Sequence, residues 1–242
     1  MMKKIAFRIN RYDPESNEGS HFEKFYLDVS EQKLGELTVL DALRELKEER
    51  DGSLTFRHTC GHGSCGSCAM LINEKNRLAC KTHVVDLEVD EGSFVEISPL
   101  PGFPVIKDLV VDDERFFDHD SQIMPFISGK NTVDDLEEER QTPGELDRIM
   151  EATECINCGA CTSSCPTYWD NEDYLGPAAL VRAFRWLEDS RNVDRNSRIG
   201  ILDDEKDGVW GCNKVFNCVE ACPKGIDTVA IIEELKRSVI TA

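Results

Sequence analysis

Eleven cysteines in three groups constrain this chain more than any other feature. They stand at Cys60, Cys65, Cys68 and Cys80; at Cys155, Cys158, Cys161 and Cys165; and at Cys212, Cys218 and Cys222. The number is odd and no export signal precedes them. A disulfide framework suits neither fact, because reducing compartments keep thiols free and an odd set leaves one over. The grouping, with a long cysteine-free stretch between the first and second sets, predicts metal sites instead.

The spacings narrow the metal. Cys60-x4-Cys65-x2-Cys68 with a distant Cys80 is the plant-type [2Fe–2S] spacing. A tight loop supplies three thiolates and a neighbouring strand or turn the fourth. Gly61, Gly63 and Gly66 interleave the cysteines; they let the backbone turn sharply and aim N–H groups at sulfur. A zinc loop is the alternative, but zinc prefers paired Cys-x2-Cys knuckles. His58 and His62 flank the loop; with four cysteines present, Rieske ligation is not needed and both read as exposed imidazoles.

Cys155-x2-Cys158-x2-Cys161-x3-Cys165-Pro166 is the bacterial ferredoxin run, in which the fourth cysteine ligates the other cluster. On the same template the partner run supplies Cys212, Val215, Cys218 and Cys222. Crossing the ligands gives Cys155, Cys158, Cys161 and Cys222 a complete [4Fe–4S] cluster. Cys165, Cys212 and Cys218 are left with three thiolates. The corner at Val215 has none, so the iron there is missing and a [3Fe–4S] cluster is predicted. Every cysteine is then used.

The chain splits at Pro99–Pro104, where three prolines in six residues stop both helix and strand. The expected domains are residues 1–105 and 106–242. Strands are predicted at Lys3–Asn10, Phe22–Val29, Ala69–Ile72 and Ser93–Ile97, the first two joined by a polar turn over Asp13–Asn17. A helix capped by Thr38 presents Val39, Leu40, Leu43 and Leu46 on one face. This order fits a small mixed sheet with one packed helix. Beyond the prolines the pattern turns helical. The acidic run Asp134–Glu139 reads as a solvated face. Thr142-Pro143-Gly144-Glu145 is a helix start with a capping box, and Leu146, Ile149 and Met150 form its apolar stripe. Gly176-Pro177 opens a helix with Leu180, Ala183, Phe184 and Leu187 inward. A last helix from about Thr228 turns Ile232, Leu235 and Val239 inward.

Charge excludes other roles. With 28 Lys+Arg against 47 Asp+Glu the net charge is −19. That disfavours nucleic acid and unaided docking on anionic lipid. No apolar run is long enough to cross a bilayer. The start, MMKKIAFRIN, alternates as a strand and is neither a secretory signal nor a transit peptide. This predicts a chain on the cytosolic side of a prokaryote.

Centres of types [2Fe–2S], [4Fe–4S] and [3Fe–4S] in this order resemble the iron–sulfur subunit of succinate dehydrogenase and fumarate reductase, over essentially the whole chain. Further matching strings are Cys65-Gly66-Ser67-Cys68-Ala69-Met70, Cys155-Ile156-Asn157-Cys158-Gly159-Ala160-Cys161, Gly176-Pro177-Ala178-Ala179, Glu188-Asp189-Ser190-Arg191 and Cys222-Pro223-Lys224-Gly225. The resemblance implies an α+β chain: an N-terminal β-grasp ferredoxin domain, then an all-α helical ferredoxin domain. It implies two partners, a flavoprotein subunit with FAD, where succinate and fumarate interconvert, and a membrane anchor presenting quinone, often with haem b. The chain is then a wire in a quinone-linked enzyme, peripheral on the cytoplasmic face of an inner membrane. The [2Fe–2S] end lies toward the flavin and the [3Fe–4S] end toward quinone.

Quinone-proximal positions carried over by resemblance are Pro166, Trp169, Asn213 and Val215. The Trp169 indole N–H can donate to a quinone carbonyl; a core or anchor-contacting tryptophan is the other reading. Asn213 stands where many members have histidine, and Gly61 and His62 where members usually have Arg and Glu. The acidic chain is expected to meet its anchor through a local apolar or basic patch at Pro166–Trp169 and Lys214–Phe216. The competing classes are a free polyferredoxin shuttle, a related thiol-linked fumarate reductase subunit, and a zinc-stapled interaction module.

Overall fold

A computed structural model of the chain describes residues 2–16, 19–87, 93–129 and 138–242. Of the acidic run Asp134–Glu139 only the last two residues fall among them, and Asn17 of the polar turn lies outside. Packing groups the chain into two compact units, Met1–Asp113 with Ile156–Ser163, and Glu114–Cys155 with Ser164–Ala242.

The first unit is built on β1 (Met2–Arg11), β2 (His21–Ser30), β3 (Ala69–Ile72), β4 (Lys75–Leu78) and β5 (Val95–Ser98), in the order β2-β1-β5-β3-β4. β1 and β5 run parallel and the other pairs antiparallel, so the sheet is mixed. Alternation along β1 and β2 turns Phe7 and Ile9 inward with Phe25, Leu27 and Val29. Phe7 lies directly opposite Phe25 in the register. After the single turn α1 (Glu31–Leu34), α2 (Val39–Glu49) covers this face. Its capping box is complete. Thr38 Oγ1 accepts from the Asp41 N–H at 3.1 Å, and Asp41 Oδ2 accepts from the Thr38 N–H at 3.3 Å. Val39, Leu40, Leu43 and Leu46, the expected inner stripe, are all buried. Each such side chain contributes about 1.5–3 kcal/mol by leaving water.

Two features of this unit escape the sequence pattern. β4 follows β3 through Asn73 and Glu74, both left-handed at φ 44° and 61°. Beyond the prolines, where a helical pattern was expected, the chain first forms a hairpin, β6 (Val105–Lys107) and β7 (Val110–Val111). Asp108, buried and left-handed at φ 47°, makes its turn. The carboxylate accepts from the Tyr12 N–H at 3.1 Å, the Thr55 N–H at 2.8 Å and Arg11 Nε at 3.0 Å. These bonds fasten the hairpin to the end of β1.

The second unit is helical: α3 (Glu114–Gln122), α4 (Pro143–Thr153), α6 (Pro166–Asp170), α7 (Gly176–Leu187), α8 (Arg195–Leu202), α9 (Asn217–Glu220) and α10 (Thr228–Ile240). The short α5 (Ala160–Ser163) belongs to the first unit. α7 is the central element, packed by α3, α4, α8 and α10. Leu180, Ala183, Phe184 and Leu187 of α7 and Ile232, Leu235 and Val239 of α10 are buried as their spacing predicts. α4 starts as expected, with Thr142 and Glu145 closing a capping box around Pro143. Its inner face differs from the expected stripe. Ile149 and Ala152 are buried, while Leu146 and Met150 are 39% and 41% exposed. On the α7 side the place expected for a third apolar residue is taken by Arg148, whose guanidinium lies 5.2 Å from the centre of the Phe184 ring.

Arg198 of α8 is buried, and among the described residues no carboxylate pairs with it. Its guanidinium donates to the Ile123 carbonyl at 2.9 Å and to those of Met124 and Phe126, holding the segment after α3. Among the described residues no helix is long and apolar enough to cross a membrane.

Candidate metal centres

All eleven cysteines are free thiols. The first group lies on the irregular stretch between α2 and β3 and on the 3-10 turn Ala79–Lys81 after β4. Gly61, Gly63 and Gly66 are left-handed, at φ 72°, 78° and 75°. That conformation lets successive N–H groups converge. The N–H groups of His62, Ser64 and Cys65 all donate to Cys60 Sγ at 3.4 Å. Those donors pull the Cys60 thiol down to about 6. Cys68 is the opposite case. Burial pushes it up to about 12, and it meets Cys80 and Cys65. Cys60 in turn bonds Cys65, so the four thiols form one connected set. Sulfur favoured as the anion by N–H donors at Cys60, joined to Cys68 and Cys80 buried in the core, is the chemistry a [2Fe–2S] cluster needs, and these residues fit it.

His58 and His62 are exposed, as expected. His58 Nδ1 lies 3.1 Å from Arg44, and His62 Nδ1 lies 2.8 Å from the Cys60 carbonyl. Among the described residues no three His, Cys, Asp or Glu side chains close on a point as a mononuclear ion requires.

In the second group Cys158 and Cys161 flank Gly159, which with Asn157 takes the left-handed conformation (φ 76° and 53°). Cys158 packs against the core of the first unit, while Cys155 and Cys222 pack against that of the second.

Cys165, Cys212 and Cys218 line a single pocket in the helical unit. Pro166, Asn213 and Val215 line it too. Burial pushes Cys218 up to about 12, with Cys165 and Cys212 adding to the shift; burial also raises Cys165. Three thiols share one enclosure, with a valine at the position left over. This donor set fits a cluster with three irons and offers nothing to a fourth.

The loop that carries Val215 is held by side chains. Asn213 Nδ2 donates to Thr167 Oγ1 at 3.1 Å and Asn217 Nδ2 to the Ser164 carbonyl at 3.2 Å. Lys214 Nζ pairs with Glu233 at 2.8 Å. Lys236 Nζ pairs with Glu233 at 3.0 Å and donates to the Cys212 carbonyl at 3.4 Å. Val215, Phe216 and Trp169 are 51%, 52% and 48% exposed, so Trp169 is no core residue. The buried ring on α6 is Tyr168. Its hydroxyl accepts from Arg115 Nε at 3.1 Å, under a guanidinium 4.1 Å from the ring centre.

Sequence reasoning missed Glu233, Lys236, Tyr168 and Arg115. Glu233 and Lys236 carry a signal in retrospect, an i, i+3 pair on a helix. Arg115 carries none, lying far from any cysteine in the chain.

Two known families match. A family described as a 2Fe-2S iron-sulfur cluster binding domain matches residues 6–118, and one described as a 4Fe-4S dicluster domain matches residues 151–226. With the cysteine-bearing loops, they define an iron–sulfur electron-transfer protein of two ferredoxin-like modules. The succinate dehydrogenase iron–sulfur subunit of Paracoccus denitrificans is 37% identical, over 97% of this chain and 87% of its own length. The mitochondrial succinate dehydrogenase iron–sulfur subunit 1 of Oryza sativa is 40% identical, over 96% and 81%. A chain of the Mycobacterium smegmatis Sdh1 complex superposes with a TM-score of 0.85 at 26% identity, over 100% of this chain and 97% of that one. The chain belongs to the succinate dehydrogenase iron–sulfur subunit family. It is an electron-transfer subunit of a succinate:quinone oxidoreductase, α+β in fold, with [2Fe–2S], [4Fe–4S] and [3Fe–4S] clusters as its cofactors.

Proposed function

We propose that this chain conducts single electrons between the FAD of a flavoprotein subunit and quinone at a membrane anchor. Cys60, Cys65, Cys68 and Cys80 hold the [2Fe–2S] cluster; Cys155, Cys158, Cys161 and Cys222 the [4Fe–4S]; Cys165, Cys212 and Cys218 the [3Fe–4S]. When bound, each cluster takes up and releases one electron, which splits the two-electron chemistry of flavin and quinone into single steps. The protein supplies thiolates, N–H donors and exclusion of water. No carbon chemistry takes place on it.

The observation that carries this reading is the pocket in which Cys165, Cys212 and Cys218 meet Val215. Exposed Val215 and Phe216, which line that pocket, and exposed Trp169 on the same short helix as Pro166 give the anchor an apolar surface. Pro166, Trp169, Asn213 and Val215 are the residues placed nearest quinone. Asn213 and Trp169 offer N–H donors to a quinone carbonyl. The complex sits on the cytoplasmic face of a prokaryotic inner membrane, with residues 1–105 and 106–242 as its two functional modules.

Val215→Cys tests the reading. The purified complex should show an oxidised-state three-iron electron paramagnetic resonance signal. The variant should lose it and gain one iron per chain. A signal that persists unchanged in the variant refutes the ligand assignment.

A further inference from the structure

Gly66 stands where two cysteine-bearing loops approach one another within the first unit. A Cβ built on it would lie 2.8 Å from both Cys158 Cα and Cys158 Cβ, and 3.0 Å from the Ile156 carbonyl oxygen. Two of these three atoms are backbone and cannot swing aside. Gly61 in the same loop is the natural comparison. Its φ of 72° matches the 75° of Gly66, yet a Cβ there meets nothing within 4 Å. The two positions therefore share one backbone requirement and differ in one respect, the approach to Cys158.

We infer that Gly66 is a positioning residue that sets the separation of the first and second clusters. It brings the Cys65–Cys68 turn against the backbone of Cys158. The inference rests on the ligand assignment proposed above. Gly66 lies between Cys65 and Cys68, and what it touches is itself a ligand residue. Absence of a side chain is thus what lets the two ligand sets come into van der Waals contact. Carbon atoms settle at about 3.5–4.0 Å, so any side chain at position 66 drives the loops apart by roughly 1 Å. The step served is transfer of one electron from a reduced centre to an oxidised one, with no bond made or broken and no proton moved.

The test compares Gly66→Asn with Gly61→Asn in the assembled, cluster-loaded complex. Asparagine takes the left-handed conformation at least cost among residues with side chains, so backbone strain is matched. Iron content and the separate cluster signals report assembly. Magnetic interaction between the reduced [2Fe–2S] and [4Fe–4S] centres reports their separation, because dipolar coupling falls with its cube. Weaker coupling in Gly66→Asn and unchanged coupling in Gly61→Asn is the expected result. Loss of the [2Fe–2S] signal in Gly66→Asn alone also supports the inference. Equal coupling in both variants and the parent overturns it, and so does equal damage in both, which would assign the requirement to φ alone. A parent complex without the two signals would instead refute the ligand assignment.

Discussion

Two lysines share one glutamate beside the Cys212 loop. Glu233 accepts from Lys236 at 3.0 Å and from Lys214 at 2.8 Å, and Lys236 also reaches the Cys212 carbonyl at 3.4 Å. The trio carries one net positive charge, which favours an added electron on the cluster proposed above for Cys165, Cys212 and Cys218. Lys236→Met keeps the stem and leaves Glu233 balanced by Lys214, so the excess vanishes. Glu233→Gln raises it to two. At an effective dielectric constant of about 20, one unit charge acting across about 8 Å contributes about 2 kcal/mol. Lys236 is only 13% exposed, but Glu233 and Lys214 are 30% and 49% exposed, and water and salt remove about half of the effect. The remaining 1 kcal/mol or so corresponds to about 40 mV for a one-electron couple. A potentiometric titration of the [3Fe–4S] signal should place Lys236→Met below the parent and Glu233→Gln above it by about this amount. Shifts of the same sign in both variants, or none beyond about 10 mV, would refute the electrostatic reasoning.

In the cluster-free chain, Cys60 should be the first thiol alkylated by iodoacetamide. Its rate should climb as pH rises through about 6 and then level off, because three N–H donors stabilise the thiolate; Cys68 and Cys218, both pushed up to about 12, should resist. Peptide mapping that finds Cys68 modified first would contradict this. Arg198→Met strands the carbonyls of Ile123, Met124 and Phe126 while relieving a buried cation. The net loss should be about 2–4 kcal/mol, read as a lower unfolding midpoint by circular dichroism, and an unchanged midpoint would count against it.

The sequence was most legible where a covalent requirement fixed the residue type. Cysteine spacing named the sulfurs that come together around Cys60 and around Cys218, since the cluster type sets how far apart its thiolates stand along the chain. Caps were legible for a similar reason. Thr142-Pro143-Gly144-Glu145 satisfies N–H groups that only such residues satisfy, and the helix starts there. Burial by packing was less so. Leu146, Ile149 and Met150 have the right spacing, but the width of the buried stripe depends on the neighbouring helix, which spacing does not encode. β4 was hidden because its turn uses Asn73 and Glu74 where a hairpin usually shows glycine. Its Asn76 is buried as well, donating to the Ala160 carbonyl at 3.0 Å, and a buried amide breaks the alternation that marks a strand.

The three cysteine-bearing stretches solve one geometric problem in two ways. All need left-handed backbone to turn N–H groups and sulfurs inward. The first uses Gly61, Gly63 and Gly66, at little steric cost. The second uses Gly159 with Asn157, the residue after glycine best suited to that region. The third uses Lys214 and Phe216, at φ 55° and 67°. Each such position costs about 1–3 kcal/mol and persists only where surrounding contacts fix it. Those contacts are present: Lys214 on Glu233, Asn213 on Thr167, and Asn217 on the Ser164 carbonyl. Glycine would have served the backbone better but would have removed side chains from this surface. Phe216, 52% exposed beside the equally exposed Val215, presents a ring outward from a strained position. Strain is thus retained where the side chain faces out and avoided where glycine lets loops close together.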